Sequence, residues 1–81
     1  MWYLYIARCG DGSLYTGVTT NPRKRLAQHN AGKGSAYVRS RGTASLAYIE
    51  RCADKAAAHR RESAIKSLSR KKKLALIQRK K

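Results

Sequence analysis

The sequence predicts an α/β domain of the α+β kind, with elements in the order β-β-α-β-α-α. Three runs rich in aromatic and branched residues read as strands: Trp2–Cys9, Ser13–Val18 and Ser45–Cys52. Three later stretches each open on a helix-capping residue, Asn21 followed by Pro22, then Asp54, then Ser69. Between the first two strand-like runs, Gly10-Asp11-Gly12 has the chemistry of a tight turn.

The first two runs therefore read as a hairpin, and its register decides where the tyrosines point. A two-residue loop would send Tyr5 and Tyr15 to opposite faces, because strand side chains alternate. A three-residue loop, Gly10 to Gly12 with Gly12 left-handed, pairs Cys9 with Ser13. It then sets Tyr5 opposite Gly17 and Tyr15 opposite Ala7, all on one face, with Gly17 leaving space beside both phenols. The odd-length loop is the one expected, since a shared site face requires it.

The helix after Asn21-Pro22 runs to about Ala31 and stops at Gly32. Arg25 and His29 share one of its faces, and Leu26 and Ala27 are the expected packing residues. Lys33 to Thr43 reads as a loop, with Lys33, Arg39 and Arg41 around Tyr37. In the third strand, Leu46 and Tyr48 are expected on one face and Ala47 and Ile49 on the other. The second helix should run from Asp54 to about Leu68 on an apolar stripe of Ala57, Ala64, Ile65 and Leu68. Ser69 caps a third, Arg70 to about Arg79, with Leu74 and Ile77 facing inward.

Eighty-one residues make a single domain, 1–81, with a thin core. Against 19 Lys and Arg stand four acids, Asp11, Glu50, Asp54 and Glu62, for a formal charge of +15. Such a domain repels itself and seeks polyanions, of which nucleic acid is the commonest. An acidic protein or a membrane surface is the blander partner. No stretch approaches a spanning helix, and the apolar N-terminus lacks the preceding positive charge of a signal peptide. A soluble, cytoplasmic protein is expected. Cys9 and Cys52 show no metal-ligand spacing; each closes a strand-like run, and two reduced, mostly buried thiols are expected.

The acids are too few for a two-metal nuclease site, with Asp11 in a turn and Asp54 at a cap. No Ser-His-Asp or Cys-His arrangement and no glycine-rich phosphate loop is present. What remains is phenols and cations. Tyr5 and Tyr15 lie ten residues apart, and Arg25 follows Tyr15 by ten. Arg25 can place paired donors on charge building at a phosphodiester. A phenol ionises near pH 10, and neighbouring cations would favour its phenolate form. Tyr5 or Tyr15 could then deprotonate water, while His29 could orient a phenol, bind phosphate or protonate the leaving group. Arg23, Lys24, Lys33, Tyr37, Arg39 and Arg41 form the candidate nucleic-acid-binding set, and Tyr37 and Trp2 are candidate platforms for unpaired bases.

Tyr3-Leu4-Tyr5, Tyr15-Thr16-Gly17, Arg25 and a lone Glu62 on a later helix together resemble the GIY-YIG nuclease superfamily. The segments Cys9–Gly17, Asn21–His29 and Gly32–Gly34 are most similar to its small single-domain, YhbQ-like branch. The resemblance spans essentially the whole chain. It implies a mainly antiparallel three-stranded sheet flanked by helices, and a metal-dependent endonuclease hydrolysing phosphodiesters in DNA. It also implies catalytic roles for Tyr5, Tyr15, Arg25, His29 and Glu62, with Glu62 holding one divalent ion, Mg²⁺ or Mn²⁺. The sequence departs from the family pattern at Tyr3, Thr16, Val18 and Leu74. Two other readings stand beside this one: a nucleic-acid-binding module of the same fold with little catalysis, and a nuclease subunit whose protein partner supplies specificity. Single-stranded or structured DNA is the favoured partner, with RNA as an alternative. Glu62 also lies four residues before Lys66, the spacing of a surface ion pair.

Overall fold

β1 (Trp2–Arg8) is the central strand of a three-stranded sheet ordered β2-β1-β3, with β2 at Leu14–Thr19 and β3 at Ser45–Cys52. Both neighbours pair with it antiparallel. The computed structural model describes residues 1–31 and 43–79. The expected loop residues Lys33, Tyr37, Arg39 and Arg41 lie outside the described residues. The helices are α1 (Pro22–Asn30), α2 (Lys55–Lys66) and α3 (Arg70–Arg79), so the expected order is observed.

The hairpin adopts the odd-length loop. The Cys9 amide donates to Ser13 O at 2.8 Å and the Gly12 amide to Cys9 O at 2.8 Å. Gly12 has φ +86°, a left-handed conformation that costs a glycine little. Asp11 Oδ1 accepts from the Ser13 amide at 3.0 Å and from its hydroxyl at 2.6 Å, tightening the turn. The register follows, with Tyr5 opposite Gly17 and Ala7 opposite Tyr15.

Because β1 is covered on both sides, Leu4, Tyr5, Ile6 and Ala7 are buried in succession. Leu4 and Ile6 join Tyr48, Cys52, Ala58, Ile65 and Ile77 in the larger cluster, beneath α2 and α3. Tyr5, Ala7, Cys9 and Ala44 form the smaller cluster on the other face, against Tyr15, Leu26 and Leu46. The two free thiols therefore lie in different clusters. Trp2, half-buried, packs against the larger cluster with the Lys55 ammonium 5.6 Å from its ring centroid.

Three packing expectations are corrected. The β1–β3 register shifts between Ile6 and Ala7, so Tyr48 faces Ile6 whereas Leu46 faces Ala7. This irregularity separates Leu46 and Tyr48, which alternation alone would put on one face. On α2 the buried alanine is Ala58, and Ala64 is exposed. The inward face repeats as Ala58, Arg61, Glu62 and Ile65, because polar side chains share it with apolar ones. On α1, Ala27 is exposed and His29 is buried instead, in line with Pro22 and the half-buried Leu26.

Polar ties fix the helices. The Asn21 side chain accepts from the Lys24 amide at 3.1 Å, and Asp54 Oδ1 from the Ala57 amide at 2.8 Å. Asn30 donates to Ala44 O at 3.0 Å and accepts from the Ala44 amide at 2.8 Å, clamping the end of α1 to the chain entering β3. Arg70 donates to Gly12 O at 2.8 Å, tying α3 to the hairpin turn. Glu50 accepts from Tyr48 at 2.5 Å and from Arg61 at 2.8 Å, which sets the rotation of α2 against β3.

Candidate active site

The sheet face under α1 carries the site. Tyr5 projects from the middle of β1 and is 2% exposed; Tyr15, from β2, is half-buried. In the last turn of α1, His29 is 3% exposed. Its Nε2 lies 3.2 Å from Tyr5 Oη, a buried hydrogen bond between side chains 24 positions apart. The Tyr15 ring meets the His29 ring edge-on with centroids 5.6 Å apart, and the Tyr5 and Tyr15 centroids are separated by 6.3 Å. Three polar rings from three elements thus share one cluster.

The electrostatics of Tyr5 differ from the sequence expectation. Burial pushes the Tyr5 phenol up to about 12, the Tyr15 phenol and the Glu62 carboxylate add to the rise, and Arg25 opposes it. Cations were expected to favour phenolate here; the loss of hydration outweighs them, because a buried anion gives up more than one nearby guanidinium returns. Burial, and then Arg25, lower the pKa of His29 and keep its imidazole neutral at pH 7. The buried pair is therefore a neutral phenol and a neutral imidazole.

The space above Gly17 is also used differently from expectation. A Cβ built there would lie 2.7 Å from Tyr5 Oη and 2.8 Å from Cζ. The missing side chain makes room for the Tyr5 ring itself.

Arg25 is exposed on α1 and acts on both Tyr5 and His29 through its charge. It lines a polar hollow of about 180 Å³ with Thr19, Thr20, Asn21, Lys24 and Gln28. Arg23 and Lys24 are exposed on the same first turn. Glu62 comes from α2, in the opposite layer, yet lies within electrostatic reach of the Tyr5 hydroxyl. Its carboxylate, 18% exposed, meets His59 Nδ1 at 3.1 Å and Lys66 Nζ at 3.1 Å. His59 is half-exposed. The Asn30 clamp and the Glu50–Arg61 pair had no sequence motif to reveal them, since their partners are distant in the chain.

The sheet and its flanking helices are matched in known proteins. Residues 1–75 match the family described as the GIY-YIG catalytic domain. The chain belongs to the GIY-YIG family. Its curated relatives include a UPF0213 protein of Staphylococcus haemolyticus, 50% identical over 94% of this chain and 93% of that one. Another, from Desulfotalea psychrophila, is 48% identical over 94% of this chain and 70% of the relative. The solution structure of a UPF0213 protein from Bacillus halodurans superposes with a TM-score of 0.61 at 43% identity, covering 96% of this chain and 84% of that one. Membership of the GIY-YIG family places the chain among nuclease domains, for which nucleic acid is the implied substrate and divalent ions the usual cofactors. Among the described residues, no helix is long and apolar enough to cross a membrane.

The residues present fit a hard divalent ion that keeps most of its water. Among the described residues no three His, Cys, Asp or Glu side chains cluster as a complete ligand set. A single partly exposed carboxylate, Glu62, is the donor available near Tyr5. Mg²⁺ commonly binds in that way, through one or two carboxylates with water and substrate phosphate oxygens.

Proposed function

We propose that this protein is a metal-dependent endonuclease that hydrolyses phosphodiesters in DNA, acting in the cytoplasm, where its two free thiols stay reduced. The observation that carries this reading is the buried Tyr5–His29 hydrogen bond beside Tyr15, on the face that Arg25 overlooks. Burying two polar rings is costly unless they are paired, and a fold that needed only packing would place apolar residues there.

Tyr15 is the water-activating phenol, because it is half-buried whereas Tyr5 is sealed and its ionisation suppressed. Neutral His29 lies edge-on to Tyr15 and can take up the Tyr15 hydroxyl proton as the phenol oxygen accepts one from the attacking water. Tyr5 acts through His29 by holding its ring, and is a positioning residue. Arg25 directs paired donors to the phosphate oxygens on which charge builds. Glu62 would hold the divalent ion, which when bound supplies charge neutralisation at the scissile phosphate and leaving oxygen. Arg23 and Lys24 hold the flanking backbone.

The ion pairs of Glu62 with His59 and Lys66 favour a second reading, a nucleic-acid-binding module of the same fold with little catalysis. Purified protein incubated with labelled single- and double-stranded DNA and RNA, in Mn²⁺ or EDTA, separates the two. Cleavage that requires the ion and disappears in Glu62→Ala is expected. Equal damage by wild type and Glu62→Ala would remove the enzyme.

A further inference from the structure

We infer that the hollow between Tyr3 and Ile49 is a base-binding subsite, taking one unpaired nucleobase of the strand whose phosphate lies against Arg25. This rests on the nuclease reading and adds to it a preference for unpaired strand.

Tyr3 shares the sheet face of Tyr5, and Ile49 is the cross-strand partner of Tyr5, so the two stand diagonally beside each other. Neither belongs to the apolar cluster under α1, which ends at Tyr5 and Leu26. Ile49 is 38% exposed, unusual for a large apolar side chain in this protein. With Pro22, Thr20, Asn21 and Arg23 these residues line a hollow of about 390 Å³. That volume lies in the range of roughly 300–1,000 Å³ in which proteins bind small organic groups.

The hollow adjoins a second, more polar one. Thr20 and Asn21 line both, and beyond them stand Lys24, Arg25 and Gln28. An aromatic and aliphatic floor thus adjoins a basic wall over two shared residues. A nucleotide has the same two halves, a flat apolar base joined to an anion. A formal charge of +15 selects a polyanion over an apolar peptide for this groove. Bases in a duplex are stacked and paired, so only an unpaired one can turn into the floor. Stacking on an aromatic ring tolerates any base, so the subsite confers strand preference without sequence preference.

Binding is measured in EDTA, where no cleavage occurs, with three fluorescent probes: an oligothymidylate, an abasic strand of the same length, and a duplex. Wild type is expected to bind the oligothymidylate about tenfold more tightly than the abasic strand, which carries the same charge. Tyr3→Ala should lower oligothymidylate affinity to the abasic level and leave abasic affinity unchanged, while Tyr3→Phe retains the preference. Equal wild-type affinity for the two single strands overturns the subsite, and this comparison needs no variant to fold. A loss for Tyr3→Ala that is equal on both strands overturns it as well. If the base preference is present but metal-dependent cleavage is absent, the nuclease reading alone fails. If cleavage is present without base preference, the subsite alone fails, and absence of binding to every probe overturns both.

Discussion

The Tyr5 ring lies across Gly17 so closely that a Cβ on residue 17 would sit 2.7 Å from the phenol oxygen. Tyr5 is sealed and bonded to His29, so it cannot swing aside freely. Gly17→Ala should therefore break the Tyr5–His29 bond and cost about 1–3 kcal/mol of stability. Chemical denaturation of the variant checks this, and an unchanged midpoint would refute the close fit.

The two phenols should respond differently to loss of the hydroxyl. Tyr15→Phe removes the water-activating group and is expected to lower kcat by about 10²–10⁴. Tyr5→Phe leaves that group in place; it should lower kcat less and cost about 1 kcal/mol of stability through the lost hydrogen bond. Single-turnover cleavage with both variants decides the assignment. A larger kinetic loss for Tyr5→Phe would exchange the roles.

Stability should fall at both ends of the pH range. At the acid end, His29 has a lowered pKa when folded, so the unfolded chain takes up a proton first and the contribution fades as pH drops below about 6.5. At the alkaline end, Tyr5 is raised to about 12 when folded. The unfolded phenol ionises first, and stability declines as pH rises from about 10 towards that value. Denaturation of wild type and Tyr5→Phe across pH should show the alkaline decline flattened in the variant, and His29→Gln should flatten the acid one.

Glu62 is held between His59 and Lys66 before any ion arrives. Lys66→Ala should leave the carboxylate with His59 alone and tighten Mn²⁺ binding severalfold, with little effect on stability because Lys66 is exposed. Titration calorimetry with Mn²⁺ measures this directly. Weaker binding in Lys66→Ala would mean that the lysine supports the ion site.

Binding of DNA should weaken steeply with salt, with a slope reflecting on the order of five neutralised phosphates. Arg23→Ala and Lys24→Ala should each lower that slope by about one. An affinity equal at low and high salt would exclude the phosphate contacts assigned to the start of α1.

Much of this architecture is local and was therefore legible in the chain. Gly10-Asp11-Gly12 marked the turn, and requiring Tyr5 and Tyr15 on one face selected the odd-length loop that a left-handed Gly12 accommodates. Asn21, Asp54 and Ser69 marked the helix starts, since each cap bonds an amide only three residues away. Spacing along α1 likewise put Arg25 and His29 together. Tertiary structure alone decided what neighbours distant in sequence impose: the shift that parts Leu46 from Tyr48, the Asn30–Ala44 clamp, and the choice of Ala58 over Ala64. It also decided the chemistry of Tyr5. A sequence shows the cations near a phenol but not the water taken from it, and here the cost of lost hydration exceeds the attraction of the charges.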